Sequence, residues 1–128
     1  MTISVTDAIR AASRARRSRF QVAPKVERTL DGITFASKKE ATRYATLKLL
    51  ERAGKISDLK LQPRFPVEIN GRPFTTYTAD FQFYDRELGR TVVEDVKSLG
   101  GTSKDASFRL RKRAAELSHG IVVTEVYE

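Results

Sequence analysis

Cysteine is absent from the 128 residues, which excludes disulfides, thiolate metal sites and thiol nucleophiles and suits a reducing compartment. Histidine occurs once, at His119, so a histidine-rich metal centre and a Ser-His-Asp triad are both improbable. No apolar run reaches the ~18 residues that a bilayer span needs. Near the N-terminus Ile3-Ser4-Val5 gives way to arginines without an apolar signal core, so a cytoplasmic setting and no membrane association are expected. Acidic residues are also short, 16 against 24 Lys and Arg. Chemistry here has to run on carboxylates, lysines and hydroxyls.

What is present is one domain's worth of chain, with 40% hydrophobic residues for one core and 31% charged residues. The net charge of +8 favours a polyanionic partner, because each neutralised phosphate releases condensed counterions. DNA is the expected partner; plain solubility or attraction to anionic lipid are the alternatives.

Residues 1–30 read as a basic arm, rich in Arg10, Arg14, Arg16, Arg17, Arg19, Lys25 and Arg28. Such an arm either lies along a phosphate backbone, with Arg16, Arg17 and Arg19 as contacts, or is a tail without specific contacts. The domain proper is expected over residues 31–128. Asp31-Gly32 marks a turn, and Ser37-Lys38-Lys39-Glu40 opens a helix that Gly54 ends. Within that helix Glu40, Tyr44 and Leu47 share a stripe.

From Leu59 the pattern is extended. Pro63 and Pro66 push their segments towards sheet edges, and Asn70-Gly71 is a hairpin turn. Residues 75–84 alternate as one strand, with Asp80 and Gln82 on one face; residues 90–97 form the next. A Gly100-Gly101 loop precedes a basic helix over 103–118, and 121–126 is a last strand. Helix and strand there form a crossover, so the final strand should run parallel to a neighbour. The expected fold is α/β, a mixed central β-sheet flanked by helices.

Two adjacent strands carry the informative residues. Asp95 and Lys97 point to one face, two residues apart, and Asp80 on the neighbouring strand can join them. Phosphodiester hydrolysis needs such a group: Mg²⁺ takes one or two carboxylates and keeps its other positions for water and phosphate. A nearby ammonium stabilises transition-state charge. Asp80 and Asp95 are the candidate ligands and Lys97 the cation, although Asp95–Lys97 also fits an ordinary surface pair. The apolar Val92, Val93 and Val96 around them favour the site, because a buried strand has little reason to carry charges. Glu40 is either the acid of a capping box on Ser37 or a third carboxylate facing the sheet. Gln62 is placed either to touch DNA or to satisfy backbone. On the basic helix Arg109, Lys112 and Arg113 line one side as phosphate contacts or as a solvated face. Leu110, Ala114 and Leu117 are expected to pack on the sheet.

At these residues the sequence resembles the PD-(D/E)XK nuclease superfamily, closest to a small phage and prophage family related to Holliday-junction resolvases. The resemblance rests on Asp31-Gly32-Ile33-Thr34-Phe35-Ala36-Ser37-Lys38-Lys39-Glu40-Ala41, Leu59-Lys60-Leu61-Gln62-Pro63, Tyr77-Thr78-Ala79-Asp80-Phe81 and Val93-Glu94-Asp95-Val96-Lys97. It spans roughly residues 19–126. It implies a restriction-endonuclease-like core with Mg²⁺ or Mn²⁺ held by Asp80, Asp95 and Glu40, and Lys97 completing the catalytic set. Ala79 stands where the superfamily's proline is common, and Glu94 adjoins the second ligand position. A phage origin implies the bacterial host cytoplasm.

Three functions follow as expectations. The first is a metal-dependent DNA endonuclease selective for branched or non-duplex DNA, working as a homodimer that supplies two symmetric nicks. The second is an inactive DNA-binding or assembly protein that keeps the fold. The third, a membrane-surface or ribosomal protein, rests on charge alone.

Overall fold

The computed structural model describes residues 22–97 and 106–127. The arm residues Arg16, Arg17 and Arg19 and the Gly100-Gly101 loop lie outside them. No helix among the described residues is long and apolar enough to cross a membrane.

A short 3-10 turn, Lys25–Arg28, leads into a small hairpin of β1 (Thr29–Leu30) and β2 (Ile33–Thr34). The arm boundary expected at residue 30 therefore falls inside a folded element. Arg28 is part of it, donating from Nε to the Ala23 carbonyl at 2.9 Å and from a guanidinium nitrogen to the Phe35 carbonyl at 2.8 Å. Helix α1 (Lys38–Arg52) starts at Ser37, whose hydroxyl accepts the Glu40 N–H at 3.1 Å. It stops at Gly54, where φ is +74° and the Lys55 N–H closes back on the Leu50 carbonyl at 2.9 Å.

The central sheet has four strands: β3 (Ile56–Leu61), β6 (Phe81–Asp85), β7 (Arg90–Lys97) and β8 (Val123–Tyr127), in the order β3-β6-β7-β8. β6 runs antiparallel to β3 and β7, and β8 parallel to β7 after the crossover through helix α2 (Ala106–His119). A separate hairpin, β4 (Arg64–Ile69) with β5 (Arg72–Thr78), stands off this sheet.

The strand expected over 75–84 is in fact two. Ala79 still donates to β4's side of the chain, at the Pro63 carbonyl, 3.1 Å away. Asp80 has switched to β7, donating to the Glu94 carbonyl at 3.0 Å. The partner strand breaks at the same level, where Gln62 takes φ +49° and Pro63 lacks an N–H to continue β3. The hairpin can thus splay away, and Asp80 lies in the gap between sheets rather than in a strand.

Two apolar clusters sandwich the sheet. On one face Ala41, Tyr44 and Leu47 of α1 pack with Phe35, Ile56, Phe81 and Phe83. On the other, Phe65, Val67 and Tyr77 of the hairpin pack with Val93, Val123 and Ala115 of α2. Of the stripe expected to pack on the sheet, Ala114 does so and the two leucines do not. Leu110 and Leu117 are 63% and 69% exposed, whereas Phe108 and Ala115, one heptad apart, face inward. Ala115, with no side chain beyond Cβ, lets the helix sit close to the hairpin, and the larger leucines rotate outward.

Candidate active site

Three carboxylates from three elements meet where the hairpin leaves the sheet. Asp80 is fixed against β7 by its own N–H and by its Oδ2, which accepts the Val96 N–H at 2.7 Å. With Phe81 in register opposite Glu94, Asp80 stands level with Asp95 and hydrogen-bonds it. Glu40, from the first turn of α1, hydrogen-bonds Asp80 and also accepts the Ala36 N–H. The Ser37 hydroxyl caps the Glu40 N–H, but the backbone group beside the Glu40 carboxyl is that of Ala36 and not the Ser37 amide of the expected capping box.

Burial pushes the Asp80 carboxyl up to about 7, and the neighbouring charges of Glu40 and Asp95 push the same way against the Val96 hydrogen bond. Glu40 is raised too, by burial first and then by Asp95, against its hydrogen bonds from Asp80 and Ala36. Carboxylates this close share protons rather than ionise together. Among the described residues no three His, Cys, Asp or Glu side chains stand in a ready-made metal-holding set. The donor set itself, all oxygen and close to three negative charges when ionised, suits a hard divalent ion.

Asp95, 5% exposed, accepts a short hydrogen bond on Oδ2 from the buried Tyr77 hydroxyl. Burial first, and then that hydrogen bond, raise the pKa of Tyr77 and keep the phenol a donor. Lys97 Nζ lies 3.9 Å from the same Asp95 oxygen and 3.6 Å over the Phe108 ring centroid. Phe108 in turn meets Tyr77 edge-on at 5.8 Å. Helix α2 thereby holds both members of the Asp95–Lys97 pair through one aromatic ring. Neither Tyr77 nor Phe108 was singled out from the sequence. The only cue was that Tyr77 opens the segment carrying Asp80.

Glu94 faces the other way. Its Oε1 and Oε2 accept from Arg43 of α1 at 2.9 and 2.6 Å, and it is 3% exposed. Both oxygens are engaged there, so Asp95 is the β7 carboxylate that faces the cluster. Gln62 is exposed and is tied to the site by its backbone, donating to the Asp80 carbonyl at 2.9 Å. Arg109 and Arg113 are exposed on α2, with Arg113 3.8 Å from Glu116. Lys112 departs from the expected phosphate-contact role, because it is half-buried and paired with Glu125 at 3.1 Å. The Tyr127 hydroxyl, first, and Lys112 after it hold the Glu125 carboxyl below its ordinary range.

Residues 17–120 match the family described as "Protein of unknown function (DUF1064)". The chain belongs to this family. Every residue of the cluster, from Glu40 through Tyr77, Asp80, Asp95 and Lys97 to Phe108, lies inside the DUF1064 region, whereas β8 lies beyond it. No curated protein and no solved structure matches the chain.

Proposed function

We propose that this DUF1064 protein is a Mg²⁺- or Mn²⁺-dependent endodeoxyribonuclease of the PD-(D/E)XK type, with a restriction-endonuclease-like core, acting on branched or other non-duplex DNA. The supporting observation is the convergence of Glu40, Asp80 and Asp95 from a helix, a strand break and a strand, with Lys97 beside Asp95. A protein with only structural needs gains nothing from adjoining carboxyl groups of which Asp95 is buried and Glu40 and Asp80 are half-buried, because their desolvation and mutual repulsion oppose folding.

Glu40, Asp80 and Asp95 would hold the cation, which when bound supplies Lewis-acid polarisation of the phosphate and a water of lowered pKa. Asp80 gives up its proton near pH 7, so the cluster becomes competent to take a cation as pH rises through neutrality. Lys97, held by Phe108, stabilises the charge that builds on the non-bridging phosphate oxygens. Tyr77 keeps Asp95 oriented while the chemistry proceeds. The exposed Arg109 and Arg113 of α2 would supply phosphate contacts, as would Arg16, Arg17 and Arg19 of the basic arm. A homodimer would place two such sites about a two-fold axis, one for each strand of a junction.

A second reading, a DNA-binding or assembly protein without chemistry, is favoured by one observation: among the described residues no group of three His, Cys, Asp or Glu side chains is spaced to hold a metal ion. One assay separates the two. Purified protein is incubated with duplex, single-stranded, flap and four-way DNA, with Mn²⁺, Mg²⁺ or EDTA. Metal-dependent cutting, strongest on branched DNA, is expected. Tight DNA binding with no cutting in either metal would establish the second reading.

A further inference from the structure

The β4–β5 hairpin has an inner half and an outer half of different character. Near Asp80 its Phe65, Val67 and Tyr77 are buried against α2. Beyond Val67 no residue on either strand is buried: residues 68–74 are all exposed. This outer half is nevertheless a tight two-residue turn, with Asn70 and Gly71 at φ +51° and +74°. The strand register shifts between Val67 and Glu68, pairing Val67 with Thr75 but Glu68 with Pro73. Phe74 is the extra residue of that bulge.

A bulge re-aims a side chain, and here it aims an aromatic ring at solvent. Phe74 is 57% exposed and is the one exposed phenylalanine among the described residues. Ile69 beside the turn is 54% exposed. Arg72 pairs across from Ile69, two residues before Phe74, while Arg64, also exposed, stands at the inner end of the hairpin opposite Thr78; Glu68 is the hairpin's single acid. Among the described residues Phe74 belongs to neither apolar cluster, and the protein carries a net charge of +8.

We propose that Phe74 is a stacking wedge for DNA bases, recognising the unstacked base at a branch, with Arg72 on the adjoining phosphate and Arg64 further along the backbone towards Asp80. Any π-face suits such a contact, so it reads exposed bases rather than sequence. The proposal rests on the nuclease reading for its cutting position. β5 runs from Phe74 directly into Asp80, and that stretch of extended chain spans no more than ~20 Å. At ~3.4 Å per nucleotide the scissile phosphate should lie within about six nucleotides of the branch.

The test is equilibrium binding in EDTA, so that it does not depend on cutting. Full-length protein is titrated onto matched duplex, flap and four-way DNA, each carrying 2-aminopurine at or next to the branch position. Phe74→Ala should lose about tenfold in affinity for branched DNA, keep duplex affinity within twofold, and abolish the 2-aminopurine response. Phe74→Trp should restore both signals. The exposed position makes unfolding an implausible cause, and thermal melting of each variant checks it. Unchanged branch preference in Phe74→Ala would overturn the wedge, as would an equal loss on duplex and branch. A change of oligomeric state with branch preference intact would reassign the tip to a protein contact. If wild-type protein cuts DNA, mapping the cuts more than about ten nucleotides from the branch would also overturn it. Absence of cutting would defeat only the nuclease reading.

Discussion

Asp80→Asn removes one negative charge from the carboxylate cluster and keeps an oxygen to accept the Val96 N–H. The carboxyl titrates near 3.8 when unperturbed and near 7 in the folded protein. Between those values the folded chain holds a proton that the unfolded chain has lost. The stability contributed by that proton is complete below about pH 4 and is lost as pH rises through about 7. A gap of roughly three pH units, at 1.36 kcal/mol each, sets a ceiling of about 4 kcal/mol. Solvent reaching a side chain that is only partly buried reduces the expected effect to about 2 kcal/mol. In EDTA at pH 8 the asparagine variant should therefore be more stable than wild type by about that amount, or about 6–10 °C in Tm. At pH 4 the two should melt together. Saturating Mn²⁺ at about a hundred times its Kd should raise wild type by about 2.7 kcal/mol and leave the variant unmoved. Scanning calorimetry over pH 4–8, with and without metal, reads all three quantities. A variant that melts at or below wild type at pH 8 in EDTA would refute the account of a self-repelling site.

The other substitutions divide the site by role. Lys97→Ala should abolish cleavage while leaving DNA affinity within a few-fold, because it removes transition-state stabilisation and few phosphate contacts; equal turnover removes Lys97 from the mechanism. Tyr77→Phe should cost about 1–3 kcal/mol in urea denaturation, by stranding a buried Asp95 oxygen, and weaken Mn²⁺ binding several-fold by calorimetric titration. Glu94→Gln should cost about 3 kcal/mol, by uncoupling the buried pair with Arg43, and leave Mn²⁺ affinity unchanged; the reverse pattern makes Glu94 a ligand. Arg109→Glu with Arg113→Glu should weaken binding to all DNA sequences alike and make its salt dependence shallower, whereas affinity that does not move marks these arginines as merely solvated.

Local chemistry was legible in the sequence where neighbours along the chain decide the outcome. Ser37 capping Glu40, Gly54 ending α1, Asn70-Gly71 turning the hairpin and the parallel pairing of β8 on β7 all follow from contacts or connections of short range. The same holds for Asp95 and Lys97, which a two-residue spacing places on one face. Asp80 was found through its segment, but not its setting. Alternation from Thr75 through Tyr84 is unbroken, and the strand ends at Thr78 only because its hydrogen-bond partner changes from the Pro63 side to β7.

What stayed hidden depends on rotation and long-range pairing. Leucine is more apolar than phenylalanine's company of arginines around Phe108, so hydropathy alone turned α2 the wrong way. The decisive factors were steric and ionic: Ala115 allows close approach, Phe108 then covers Lys97, and Lys112 reaches Glu125 on β8. Glu94 was ambiguous for a similar reason. A buried carboxylate in an apolar strand invites a functional reading until its counter-ion is found, and Arg43 lies 51 residues away on another element. Among the described residues Asp95 has no guanidinium opposite it; its neighbours are a phenol, an ammonium 3.9 Å away and another carboxyl group. That contrast between two adjacent acids, one neutralised by an arginine and one left among groups that compete for its charge, separates the structural carboxylate from the one proposed to take a cation.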